Sequence, residues 1–270
     1  MGRPSGRGVG RLDERGLVEL ARRLVRIPSL SGQEGEVSAA YARELVALGF
    51  DRVWRDELGN VVGEIHGRGD GPVLLFNGHL DHAATGEMES PFSGEEIDGT
   101  RFGTPGPIIY GRGASDMKGA LASMAYGAAA ARSDGPLRGR VLVTAVVLEE
   151  QARGEGILHL LRRGGVRADM AVSCEATRLN VHLGHRGKTE FVVTVRGRIS
   201  HASNPSRGRN AILLMNRFLT ELERDYPLPR HPFLGQCTAT VIDISASPGR
   251  LTPVVPDRCE IVLDRRFLPG

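Results

Sequence analysis

The stretch VLLFNGHLD, residues 73–81, joins an apolar run too short for a helix to a histidine and an aspartate. An uninterrupted apolar run of that length fits a strand buried on both faces of a sheet. His79 and Asp81 follow it at once. The same order recurs in RVLVTAVVLEE, residues 140–150, which ends in Glu149-Glu150, and in DMAVSCE, residues 169–175, which ends in Cys174-Glu175. Helical spacing fills the gaps, at 117–131 and 156–163, so strands alternate with helices. That order predicts an α/β fold, a mainly parallel sheet with helices on both faces. Ligands of such sheets bind beyond the carboxyl ends of the strands. His79, Asp81, Glu149, Glu150 and Glu175 are therefore expected along one rim.

A further acid reaches the same rim by its own turn. In IIYGRGASDMKGALASMAYGAAAA, residues 108–131, Asp116 sits between an apolar run and a helical pattern, punctuated by Gly111, Gly113 and Gly119. Lys118 and Lys188 are the only lysines in a chain whose positive charge is otherwise arginine, so Lys118 does not read as generic surface charge. One histidine and several carboxylates form a hard-to-borderline donor set suited to zinc, manganese or cobalt. Clustered carboxylates repel one another unless a cation compensates them.

Upstream, Leu17, Leu20, Ala21, Leu24 and Val25 predict a helix that stops before Pro28. Ser31 with Glu34 reads as a capping box opening a second helix that closes near Gly49. Asp56 to Gly67 reads as a turn and a short strand. Beyond His185 the texture changes. KTEFVVTVR, 188–196, alternates like a half-exposed strand. A helix follows over 211–224, with Ile212, Leu213, Met215, Phe218, Leu219 and Leu222 on its buried side, then strands at 238–244 and 260–264. This predicts a second, smaller two-layer α/β unit.

Composition narrows the function classes. The 270 residues carry 35 Lys+Arg against 32 Asp+Glu, a net charge of +3, and no basic run is interleaved with aromatics, which argues against a nucleic-acid surface. Cys174, Cys237 and Cys259 lie far apart without a CxxC, arguing for a reducing compartment rather than a disulfide frame or thiolate zinc site. No apolar run approaches membrane length, and residues 1–12 read as a disordered basic tail. A soluble cytoplasmic protein that binds neither nucleic acid nor membrane is expected.

The motifs HLD (79–81), GRGASDMKG (111–119), EE (149–150), CEAT (174–177), HRG (185–187) and HASNPSRGRNAI (201–212) together resemble the M20 metallopeptidases. The GRGASDMKG and EEQARGEG forms are most similar to its acetylornithine deacetylase and succinyl-diaminopimelate desuccinylase branch. The resemblance implies a zinc-peptidase-like catalytic domain over 13–183, without its C-terminal part, and an incomplete lid or dimerisation domain over 184–270. It implies two divalent metal ions, zinc with cobalt or manganese as alternatives, bridged by Asp116. His79 and Glu175 would complete one ion and Glu150 would serve the other. Glu149 matches the general base and Asp81 the carboxylate that orients His79, and the Asp116-Met117 peptide would be cis. His201 matches a lid histidine that stabilises the oxyanion in the partner subunit's site. Asn210 and Arg266 match substrate contacts, Arg266 gripping a carboxylate. The family's Glu-Pro-Thr is here Glu175-Ala176-Thr177, which changes the loop but keeps the ligand. His82, His182 and His185 read as hydrogen-bonded or exposed bystanders.

The implied activity is hydrolysis of the amide bond of N-acyl amino acids or short peptides by a water that two metals activate, in a homodimer formed through the lid. A dipeptidase or carboxypeptidase with the same site, or an inactive dimerising relative, are the alternatives. The family pattern takes a last histidine ligand from a C-terminal segment, and no histidine follows His231. Residues 1–270 are thus expected to hold about one metal per chain, with negligible amidase activity.

Overall fold

The computed structural model describes residues 12–133, 137–151, 154–250 and 252–269. The expected N-terminal tail lies outside the described residues except for Leu12. The described chain divides between Leu179 and Asn180 into two compact units.

The first unit contains helices α1 (Glu14–Val25), α2 (Gly35–Ala47), α3 (Gly119–Ser133) and α4 (Glu155–Arg162). Its strands are β1 (Arg52–Arg55), β2 (Val61–His66), β3 (Val73–His79), β4 (Glu95–Asp98), β5 (Pro107–Tyr110), β6 (Arg140–Val146) and β7 (Met170–Ser173). The central sheet has the order β1-β2-β6-β3-β7. β3 is parallel to both β6 and β7, whereas β2 is antiparallel to β6 and to β1, so β2 alone opposes the other four strands. The mainly parallel α/β sheet expected from the apolar runs is thus present. β4 and β5 form a separate antiparallel pair.

Both faces of the sheet are covered. On one, Leu20, Leu24, Val37, Tyr41, Leu45, Leu121 and Ala125 from α1, α2 and α3 pack on Val61, Ile65, Val143 and Ala145. On the other, Leu160 of α4 packs with Val62, Leu75, Leu142 and Val146. Alternate residues of β2 and β6 therefore serve opposite layers, as the two-residue strand period requires.

The N-terminal helices depart from the expected cap. Glu34 itself occupies the position before α2 and makes no side-chain cap bond. Its Oε1 instead accepts the Leu148 N–H at 2.9 Å, and Ser31 Oγ donates to Asp81 Oδ2 at 2.7 Å. Local and tertiary hydrogen bonds draw on the same residue types, and here the tertiary partners win.

Glu64 on β2 is buried and pairs with Arg140 at 2.8 Å and His66 at 3.2 Å. Burial alone would raise its carboxyl, but these two partners outweigh that and hold it below the usual value. Glu64→Gln should therefore lower unfolding stability at neutral pH by about 1.5 kcal/mol, the scale of a hydrogen bond to a charged group. A depressed carboxylate stabilises above the unfolded value and loses that contribution as pH falls through the folded one. The gap between variant and native protein should narrow on acidification, and denaturant melts across acid pH check this. A gap constant with pH would mean that the charge contributes nothing.

The second unit contains β8 (Gly187–Arg196), β9 (Ser200–His201), α5 (Ala211–Asp225), β10 (Arg230–His231), β11 (Gly235–Gln236), β12 (Thr238–Ser247), β13 (Val254–Val255) and β14 (Arg258–Phe267). Its main sheet is antiparallel, with the order β12-β14-β8, and β9 pairs with β13 and β10 with β11. Helix α5 packs through Ala211, Met215, Phe218 and Leu219 onto Val193, Val195, Cys259 and Ile261. Ile212 and Leu213, expected on that face, are exposed instead. The buried stripe runs 211, 215, 218, 219, and these two residues fall outside it. Phe191, Val192, Ile242 and Ile244 of β8 and β12 are exposed as well. Among the described residues, no helix is long and apolar enough to cross a membrane.

Candidate metal centre

The sheet register aligns the ends of three parallel strands. His79, the last residue of β3, lies opposite Val146, the last of β6, and Asn77 lies opposite Ser173, the last of β7. The residues just beyond, Glu149-Glu150 and Glu175, are thereby delivered beside His79. Asp116 arrives from one wide turn, Ala114–Lys118, in which Asp116 itself has extended backbone (φ −125°, ψ 92°). Gly113 opens that turn at φ +78°, in the left-handed region where a glycine meets no steric penalty. The Asp116-Met117 peptide is cis, as the resemblance implies. Met117 is fully buried and its Sδ accepts the His79 N–H at 3.2 Å. A Cβ on Gly78 would stand 2.6 Å from Met117 Cε, so the absence of a side chain at 78 lets the Asp116 turn settle under the end of β3.

The side chains converge on the His79 ring. His79 Nε2 lies 2.9 Å from Asp116 Oδ1, and 3.8 Å from both Glu149 Oε2 and Glu175 Oε1. One ligand atom each from His79, Asp116 and Glu175 lies within 4.8 Å of the other two. The opposite ring nitrogen, Nδ1, is 2.9 Å from the Asp81 main-chain carbonyl, while the Asp81 carboxylate stands at 3.6 Å. The close orienting contact therefore comes from the Asp81 backbone, and it leaves Nε2 facing the carboxylates as a ligand atom must. The Asp81 carboxylate accepts from Ser31 Oγ and from the Glu149 and Glu150 N–H groups, at 3.1 and 3.0 Å, tying the turn after β6 to the loop after β3.

The electrostatics are those of a compressed anionic site. Burial favours the neutral ring of His79, but Asp116, Asp81, Glu175 and Glu149 outweigh it and push the imidazole up to about 11. Burial would raise Asp81, yet the nearby His79 ring and hydrogen bonds from Ser31 and the two glutamate N–H groups bring it down to about 2. Hydrogen bonding to His79 lowers Asp116. Glu175 and Glu150 are both raised, first by burial and then by neighbouring carboxylates. Four acids around one imidazole exceed what one proton can neutralise, and the donor set is that of a divalent cation. These residues fit a metal ion. Glu150 stands outside the three-residue cluster. A cavity of about 170 Å³ opens at His79 and Glu175, bounded also by Asn77, Glu149, Ile157 and Ser173 among others.

The remaining candidates belong to the second unit. His201 is exposed, and its Nδ1 lies 2.8 Å from Ser203 Oγ and 3.2 Å from the Ser203 N. The Oδ1 of Asn210 caps α5, accepting from Ile212 N at 2.9 Å and Leu213 N at 3.3 Å. Arg266 is engaged with its own chain, Nε lying 2.8 Å from Asp264 Oδ1. Four residues that reasoning from sequence did not connect with the site pack behind it: Ser31 and Glu34, assigned to a cap, and His82 and Lys118. Lys118 alone carried a signal, as a lysine in a chain that avoids lysine. It is fully buried, donates to the Ile27 carbonyl at 2.7 Å, and burial lowers its ammonium to about 8.

Comparison with known proteins bears on the family and the fold. Residues 183–270 match the M20 peptidase dimerisation domain. The chain is 36% identical over 262 residues to the uncharacterised Escherichia coli K12 protein YgeY, covering 94% of this chain and 62% of that one. It is 32% identical over 270 residues to the succinyl-diaminopimelate desuccinylase of Methylorubrum extorquens, covering 92% of this chain and 67% of that one. Among solved structures, Bacillus subtilis YxeP, a dinuclear metal-binding peptidase of the M20 family, matches with a TM-score of 0.59 at 19% identity. That match covers 93% of this chain and 64% of YxeP, and it bears on the fold alone. The chain thus spans roughly two thirds of the length of these curated relatives, 62% and 67%. A relative at 32% identity over that span, a dimerisation domain at 183–270 and the shared fold place the chain in one group: it belongs to the M20 family of metallopeptidases and amidohydrolases.

Proposed function

We propose that this chain carries the metal-binding machinery of an amide hydrolase acting on N-acyl amino acids or short peptides. The observation that supports it most is the convergence of His79, Asp116 and Glu175 with Glu149 alongside, 3.8 Å from His79 Nε2. His79, Asp116 and Glu175 would hold one divalent ion, and Asp116 with Glu150 would contribute to a second. Bound there, zinc, cobalt or manganese supplies Lewis-acid activation of water and of the scissile carbonyl. Glu149 is half-exposed and outside the three-residue cluster, so its carboxylate is available to take a proton from the attacking water and return it to the leaving amine. Asp81 anchors the Glu149 main chain and so sets where that carboxylate stands.

The substrate class follows from the desuccinylase relative, whose name gives an N-succinyl amide of an amino acid. The test is release of free amine from N-succinyl and N-acetyl amino acids by the zinc- or cobalt-loaded full-length gene product. Cleavage of dipeptides with no action on N-acyl amino acids would move the substrate to a peptide. Cleavage of neither would remove the reading.

The second unit would form a homodimer. Its exposed Phe191, Val192, Ile242 and Ile244 offer apolar surface, and β8 and β12 are sheet edges. His201 would then donate to the oxyanion in the partner's site. Mixing a His201→Ala chain with a Glu149→Gln chain, each inactive alone, should restore partial activity. No recovery despite demonstrated subunit exchange would keep His201 in its own chain's site.

A further inference from the structure

One loop packed behind the metal centre does more than join two helices. Between α1 and α2 the chain reads IPSLSGQE, residues 27–34, and its polar groups reach three other segments. The Ile27 carbonyl accepts Lys118 Nζ at 2.7 Å, two residues beyond Asp116. Ser29 pairs in both directions with His82: its N–H donates to His82 Nε2 at 2.9 Å and its carbonyl accepts the His82 N–H at 3.0 Å. Ser29 Oγ donates to the Leu80 carbonyl at 2.8 Å. Ser31 Oγ donates to Asp81 Oδ2 at 2.7 Å, and Glu34 Oε1 accepts from Leu148 N at 2.9 Å. His82 accepts at Nε2, so its ring proton is on Nδ1, which donates to the Ala83 carbonyl at 2.8 Å.

These groups are buried: Ser29, Asp81 and Lys118 are fully enclosed, and Glu34 and His82 nearly so. Enclosing that many polar and charged groups is costly unless each is partnered, and here the partners lie on different ligand-bearing segments rather than within one turn. The loop thus has one hydrogen bond or more to the segment after His79, to the turn carrying Asp116, and to the turn carrying Glu149 and Glu150. Glu175 is held apart from it, its neighbour Cys174 being tied to Asn77.

We propose that residues 27–34 form a clamp that presets the metal centre, with Ser31 and Glu34 as positioning residues that fix the Asp81 carboxylate and the 148–150 turn before an ion arrives. This rests on the metal-centre reading above and adds to it the source of the centre's rigidity. Groups standing behind a metal ligand and orienting it are typically worth 10–100-fold in metal affinity.

Two measurements judge the clamp. The first, amide hydrogen exchange on metal-free protein, does not depend on metal binding. Ser31→Ala and Glu34→Ala should each speed exchange at Leu148, Glu149 and Glu150 together, although Glu34 touches only the first amide and Ser31 acts on the other two through Asp81. Ser31→Thr, which keeps the hydroxyl, and Glu34→Gln, which keeps the acceptor, should retain native protection, and unchanged exchange in α3 and β2 verifies the fold. The second is cobalt(II) titration followed by visible absorption, in which both alanine variants should bind about 10–100-fold more weakly and the conservative variants within a few-fold of native. Native protection at the three amides in both alanine variants overturns the clamp, as does equal damage by the conservative variants. If the native protein takes up no cobalt, the metal reading fails on its own and the exchange arm still decides the clamp.

Discussion

In active full-length protein, Glu149→Gln is expected to lower turnover of an N-acyl amino acid by roughly 10²–10⁴-fold, the usual contribution of general acid–base catalysis, while metal content and melting temperature stay native. The reason lies in how Glu149 is placed. Its N–H is fixed by Asp81 at 3.1 Å, but its carboxylate is half-exposed and stands outside the cluster formed by His79, Asp116 and Glu175. Glutamine keeps the volume and the main-chain anchor and removes only the ability to accept a proton, so the loss should fall on kcat rather than KM. Turnover within a few-fold of native would mean that another group deprotonates the water. Loss of metal along with activity would make Glu149 a ligand.

Asp116→Ala should have the larger effect on the centre itself. Asp116 Oδ1 is the acid nearest His79 Nε2, at 2.9 Å, and its carboxylate belongs to the three-residue cluster. Removing it leaves one imidazole and one glutamate, too few for a zinc site of ordinary affinity. The loss should exceed the 10–100-fold typical of an orienting neighbour. Equilibrium dialysis with zinc, followed by elemental analysis, should find about one tightly held ion per native chain and essentially none in the variant. Asp116→Asn distinguishes charge from shape, since it preserves the turn and should also bind poorly. Unchanged zinc in both would move the ion away from Asp116.

Much of this site was legible in the sequence because parallel strands buried on both faces write themselves as continuous apolar runs. Whatever follows such a run must emerge at the same rim, and that alone brought His79, Glu149 and Glu175 together. Lys118 stood out as an exception to an arginine-rich composition, but its burial and its partner did not. Other parts were hidden for physical reasons. β1, RVWR, sets two arginines around Val53 and Trp54 and carries no long apolar run, since it lies on the sheet edge beside β2. Ser31 and Glu34 have a spacing that a helix cap and a tertiary clamp share, and only the fold reveals that Asp81 and Leu148 are their partners. The apolar face of α5 was drawn too wide, because Ile212 and Leu213 are as apolar as the residues that pack, yet they face outward.

On this reading His79, Asp116 and Glu175 bind one and the same divalent ion. The most direct test is anomalous X-ray diffraction, recorded on either side of the zinc absorption edge, from crystals of the native protein grown with zinc. An edge-dependent peak is expected about 2.0–2.2 Å from His79 Nε2 and from a carboxylate oxygen of both Asp116 and Glu175. A fully occupied zinc peak bound elsewhere on the chain, with these three side chains left unligated, would contradict it.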